Sequence, residues 1–178
     1  MSRSFLYVAV ALVVLAAGGC RERAVPQAQT QPEAAADPAP VEDGAGARAF
    51  AMPELEAAQW TAKPCNLDMI DRGPPDATLA TAQPHLLEGF LVGPDGRPGG
   101  DFQIVFKGAA SAFAIPATTG VDRPDVADYF GDPSLAGAGF AVTASLAGVP
   151  PGEYQPVLVV GRDGALFFCE TGRRVVVR

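Results

Sequence analysis

Apolar and polar positions alternate in the later part of the chain. Phe102, Ile104 and Phe106 point one way while Gln103 and Lys107 point the other, and Phe140, Val142, Ala144 and Leu146 likewise oppose Thr143 and Ser145. This period of two belongs to half-buried strands of an antiparallel sheet. From Cys65 onward, short apolar runs recur between Gly, Pro and Asp clusters, which is the texture of an all-β domain. The pattern predicts strands over Cys65–Ile70, Leu86–Val92, Phe102–Phe106, Ala112–Pro116, Phe140–Leu146, Tyr154–Val160, Ala165–Cys169 and Arg174–Val177. One short helix is predicted from Pro124 to Phe130. Proline suits the first helical turn, Asp125 and Asp128 lie toward the positive end, and Val126 and Phe130 share a side. The run from 53 to 60 predicts one or two helical turns leading to Trp60.

Turn chemistry supports this reading. Gly-Pro-Asp-Gly at 93 to 96 joins the second predicted strand to the third, and Gly-Arg-Asp-Gly at 161 to 164 joins two strands near the end. Asp-Gly between apolar runs is a strong hairpin signal. Pro156 lacks a ladder donor and predicts a sheet edge. Roughly eight strands in about 115 residues predict an immunoglobulin-like antiparallel β-sandwich, with a small closed barrel as the alternative.

The first fifty residues follow different rules. Arg3 precedes an uninterrupted apolar run of 13 residues, Phe5 to Ala17, which is too short to span a bilayer comfortably and matches the core of a secretory signal peptide. Ala17-Gly18-Gly19-Cys20 resembles a bacterial lipobox, although the position three before the cysteine is more often Leu. The resemblance implies cleavage before Cys20 and acylation of that residue with diacylglycerol and an N-linked chain such as palmitate; ordinary secretion is the alternative. Residues 21 to 50 are Ala, Pro, Gln and acidic residues with almost no large apolar side chain before Phe50. They cannot bury enough surface to offset their ordering entropy, so they predict a disordered tether. The expected organisation is a signal peptide (1 to 19), a lipidated Cys20 with its tether (20 to 50) and a sandwich domain (51 to 178).

Charge narrows the function classes. The chain has 13 basic and 20 acidic residues and a formal charge of −7. That balance disfavours nucleic acid and a basic membrane-binding patch. Seventeen Pro and 20 Gly fit many turns between short strands.

Candidate chemistry is sparse. With Cys20 lipidated, Cys65 and Cys169 form an even pair, most simply one disulfide in an exported domain. His85 and Glu88 are three apart, but Pro84 precedes them and a strand follows, so they point to opposite faces and His85 reads as structural. Asp122, Asp125, Asp128 and Asp132 are the most tempting cluster, yet their spacing departs from an EF-hand loop, and helix capping with an Arg123 ion pair explains them more simply. No metal or cofactor is expected. One histidine, no Gly-x-Ser-x-Gly and no phosphate-cradling loop argue against a triad hydrolase or a nucleotide enzyme. Trp60, Tyr129 and Tyr154 are candidates for a carbohydrate platform, although Tyr154 after Pro-Gly reads as a structural corner and Trp60 as a lid on the core.

Cys65 with Ile70-Asp71, Leu-Glu-Gly-Phe at 87 to 90, Arg-Pro-Asp-Val-Ala at 123 to 127, Ala-Gly-Phe at 138 to 140, Pro-Gly-Glu-Tyr at 151 to 154 and Cys169 occur in that order. The set resembles an uncharacterised bacterial β-sandwich module of envelope proteins, found behind lipoprotein signals and appended to membrane proteins. Asp71-Arg72-Gly73 stands where an Asn-Gly turn is commoner in that pattern. The resemblance implies fold and location and carries no activity. The leading expectation is a non-enzymatic, membrane-tethered binding or scaffolding module. It is anchored through acylated Cys20 and, with Arg21 after the cysteine, placed at the outer membrane facing the periplasm. Its partner would be an envelope protein or glycan. The alternatives are a small envelope hydrolase with Asp125 or Asp128 as base, and a carbohydrate- or peptidoglycan-binding module.

Overall fold

The computed structural model describes residues 46–178. The apolar leader, Cys20 and the tether up to residue 45 lie outside the described residues. In chain order the elements are β1 (Arg48–Phe50), α1 (Met52–Ala57), β2 (Gln59–Trp60), β3 (Cys65–Ile70), β4 (Thr78–Leu79), β5 (Pro84–Leu91), β6 (Asp101–Lys107) and β7 (Ala112–Thr118). Then come α2 (Pro124–Phe130), a 3-10 turn (Pro133–Gly137), β8 (Gly139–Ser145), β9 (Gly152–Arg162), β10 (Ala165–Glu170) and β11 (Val175–Val177). The fold is an all-β sandwich. The larger sheet runs β1-β7-β6-β9-β10-β2, with β11 continuing beside β9 and β4 beside β11; the smaller is β3-β5-β8. Eight strands against three, with parallel pairings of β2 to β10 and β4 to β11, is less even than the immunoglobulin-like arrangement expected.

The inner faces meet as the alternation predicts. Phe102, Ile104 and Phe106 of β6, Ile115 of β7 and Leu158 and Val160 of β9 share one core with Leu67, Leu87, Leu91 and Phe140 of the smaller sheet. Phe102 and Phe140 meet edge to face at 5.1 Å across the gap. The motif glycine Gly89 makes room for this packing. A Cβ there would sit 2.1 Å from the Asn66 carbonyl oxygen and 2.7 Å from the Phe140 ring. Val105, Val157 and Val159 are also buried, because α1 lays Leu55 and Met52 over the back of the larger sheet. Strands covered on both faces lose clean alternation.

Three expectations need correction. The domain starts earlier than residue 51: Arg48, Ala49 and Phe50 pair with Ala114, Phe113 and Ala112, and the Ala47 N–H donates to the Ser145 carbonyl at 3.0 Å. A three-residue strand of Arg, Ala and Phe, mostly exposed, is too short to carry a periodic signal. Gly-Pro-Asp-Gly does form a turn, with the Gly96 N–H on the Gly93 carbonyl at 2.9 Å, but β5 and β6 then enter different sheets. Pro156 is not at an edge. It lies within β9, paired on one side with Phe106 of β6 and facing the break where β10 passes to β11 on the other. The ladder is interrupted there, and the Thr171 hydroxyl donates to the Pro156 carbonyl at 2.6 Å.

The Asp163-Gly164 turn closes a true hairpin between β9 and β10, both residues at positive φ (51° and 78°) as a type I′ turn requires. Helix α2 has its predicted bounds. Pro124 opens it, and Gly131 closes it at φ 65°, donating to Asp128 while Asp132 donates to Ala127.

Candidate functional site

Cys65 opens β3 in the smaller sheet and Cys169 lies near the end of β10 in the larger. They are joined by a disulfide with Cα atoms 6.3 Å apart. The bond ties one side of the sandwich shut and leaves no free thiol among the described residues.

The outer face of the smaller sheet carries the densest polar chemistry. Arg123, the residue before α2, is its centre. Its Nε and Nη2 donate to the two oxygens of Asp125 at 2.8 and 2.7 Å, and Nη1 donates to Asp68 Oδ2 at 2.7 Å. Asp68 sits where the β3–β5 register shifts, so its carboxylate reaches the helix, and its other oxygen accepts from Asn66 Nδ2 at 2.6 Å. The guanidinium lies 5.7 Å from the centre of the Phe90 ring. The bond to Asp125 raises the Arg123 pKa further against partial burial, and the bond to Arg123 holds the Asp125 carboxyl below its usual value. This fork fastens α2 to β3, a bidentate geometry that Arg provides and Lys does not.

The remaining members of the acidic string scatter. Asp132 lies beyond Gly131 and not on the helix. Asp132 caps the 3-10 turn, accepting from the Ser134 hydroxyl at 2.7 Å and its N–H at 2.9 Å, and these bonds lower its pKa. Asp122 and Asp128 are exposed. Among the described residues no three His, Cys, Asp or Glu side chains gather as a metal site.

His85 and Glu88 do point apart. His85 is buried, its Nδ1 2.7 Å from Asp71 Oδ2 and its Nε2 2.8 Å from the Ala80 carbonyl. Glu88 lies on the outer face with Oε2 buried and unpartnered.

The aromatic candidates separate as well. Tyr154 is buried, and its hydroxyl donates to the Pro150 carbonyl at 2.9 Å, a tyrosine corner. Trp60 is 64% exposed on the edge strand β2, so it does not lid the core. Tyr129 is 83% exposed at the end of α2, beside Phe130, which is 41% exposed. Phe130 meets Phe90 at 6.2 Å and Tyr129 at 4.9 Å, the latter pair at 86°. Arg123, Phe90, Phe130 and Tyr129 thus form one continuous string from sheet to solvent. Arg123 and Phe130 were not singled out as site residues from sequence; the Arg-Pro-Asp-Val-Ala motif was the signal that marks this place.

A surface cavity of about 570 Å³ lies between β7 and β8 and is lined by Phe102, Pro116, Ala117, Ala141 and Val142, with Asp101 as its one ionisable side chain. Asp128 lines a separate depression beside α2 with Pro124, Ala127 and Gly131. Asp101 and Asp128 each stand in their cavity without a second carboxylate in the lining. Comparison of the chain with known protein families, with curated proteins and with solved structures finds no match.

Proposed function

We propose that the chain is an envelope lipoprotein whose sandwich is a non-enzymatic binding or scaffolding module, tethered through acylated Cys20 and held at the outer membrane. The observation that carries the binding reading is the outer face of the smaller sheet. There Asp68 joins Arg123 and Asp125 in fastening α2 in place, while Tyr129 and Phe130 project at the end of that helix. A rigidly mounted aromatic pair is suited to contact, since such side chains supply large area at low entropic cost. The hydrolase alternative is less well supported, because Asp125 is occupied by Arg123 and Asp128 is the one carboxylate lining its depression. The sugar-platform alternative gains little from two rings standing at 86° to each other. The disulfide is consistent with an oxidising compartment.

The test has two arms. Cys20→Ser should move the protein from the membrane fraction to the soluble fraction, and intact mass of the wild type should show the lipid. A photo-crosslinking residue at Tyr129 should capture an envelope component that the same residue at Gln103, exposed on the larger sheet, does not. An unacylated wild type would overturn the tethered reading, and equal labelling from both positions would overturn the contact face.

A further inference from the structure

The buried end of β5 holds an arrangement that only an extra proton completes. Both ring nitrogens of His85 face acceptors, the Asp71 carboxylate at 2.7 Å and the Ala80 carbonyl at 2.8 Å, and the ring is 2% exposed. A neutral imidazole has one N–H, and an ionised carboxylate has none to offer, so the neutral ring leaves one contact as two lone pairs face to face. The doubly protonated ring donates to both. The other way to supply the proton, a neutral Asp71, is opposed by its surroundings. Burial works toward the neutral form, but the bond from His85 and the Leu86 N–H on Oδ1 at 2.9 Å outweigh it and lower the Asp71 pKa.

What the contact holds is strained. Asp71 and Arg72 stand at φ 52° and 60°, the left-handed region, in a turn closed by the Gly73 N–H on the Ile70 carbonyl at 2.9 Å. Asp tolerates that region through local hydrogen bonds, whereas Arg gains nothing there. The Asp71 N–H also donates to the Leu86 carbonyl at 2.8 Å, while Ala80 leads to Thr81, whose N–H donates to the Arg178 carbonyl at 3.0 Å. One ring therefore joins the turn after β3, the segment after β4 and the start of β5. Asp71 is the charged group in contact with it. Ala144 faces it on β8, Glu88 lies on the opposite face of β5, and Arg72 and Arg178 make no ion pair or hydrogen bond with the ring or with Asp71.

We propose that His85 and Asp71 form a proton-dependent latch, closed while the ring carries both protons and loosened when it loses one, so that rising pH frees the strained turn at this end of the sandwich. The chain has one histidine, so its ring signals need no assignment by mutation. Nitrogen–proton correlation spectra of the full exported chain carrying Cys20→Ser should show both ring nitrogens protonated together wherever the turn is closed. Asp71→Asn should weaken proton binding at His85 at least tenfold. Stabilisation held by a proton is lost as that proton leaves, so the wild-type Tm should fall as rising pH removes it while that of His85→Gln stays flat. A singly protonated ring in the closed turn, proton affinity unchanged by Asp71→Asn, or the same Tm slope in His85→Gln would overturn the latch. The Tm comparison decides the matter if Asp71→Asn fails to fold.

Discussion

Removing the Cys65–Cys169 bond is the strongest single perturbation of this domain that leaves its sheets intact. The bond closes a chain separation of 104 residues. In the chain-entropy account a loop of about 100 residues constrains the unfolded state by about 4.7 kcal/mol. The domain from 46 to 178 has 133 residues, and unfolding entropy near 2.1 cal/mol/K per residue gives about 0.28 kcal/mol/K. The expected loss is therefore about 17 °C in Tm, out of a total stability of about 5 to 15 kcal/mol. The variant should be Cys65→Ser with Cys169→Ala, because Cys65 is half-buried whereas Cys169 packs in the core at 6% exposure. Circular dichroism melts of the Cys20→Ser background, with and without the two substitutions, read the difference. Melting the unsubstituted background under reducing conditions separates the cross-link from the packing change. A drop under about 5 °C in both would refute the reasoning, since residual structure in the unfolded chain would then already supply most of the constraint.

Arg123→Met should cost about 2 to 3 kcal/mol, because it strands the half-buried Asp68 carboxylate, whereas Asp125→Asn should cost under about 1 kcal/mol at its exposed site; urea titrations rank the two. Asp71, Asp125 and Asp132 have lowered pKa values when folded, so their contribution is complete above about pH 4 and is lost as pH falls toward 2, which melts across that range will show. Gly89→Ala should destabilise by about 1 to 3 kcal/mol or prevent folding, since its Cβ meets the Asn66 backbone, while Gly46→Ala, with open space around it, should leave Tm unchanged. Tyr154→Phe should lower stability by about 1 kcal/mol through the lost bond to Pro150, and Tyr129→Ser should change it by less than about 0.5 kcal/mol.

Much of this fold was legible along the chain because its signals are local. Alternation in β6 and β8, Asp-Gly at 163 and 164, and Pro124 followed by Asp125 each act within a few residues, and the structure places strands, hairpin and helix accordingly. The cysteine pair was legible by count alone, and the 6.3 Å Cα separation agrees with it. Where the local signal is weak or shared, tertiary structure decided. The strands β1, β2 and β4 are two or three residues long and exist through partners distant in sequence, β7, β10 and β11. Pro156 reads as an edge residue until the break between β10 and β11 supplies the place where no donor is needed. The same holds for the site. The sequence names Arg123 beside Asp125, but the 2.7 Å contact with Asp68 depends on a register shift in a strand 55 positions away. His85 likewise meets Asp71 and Ala80 only because two turns converge on one strand end. Hydrophobic periodicity and turn chemistry are set by neighbours along the chain, whereas ion pairs, buried protons and sheet order are set by which segments the packed core brings together.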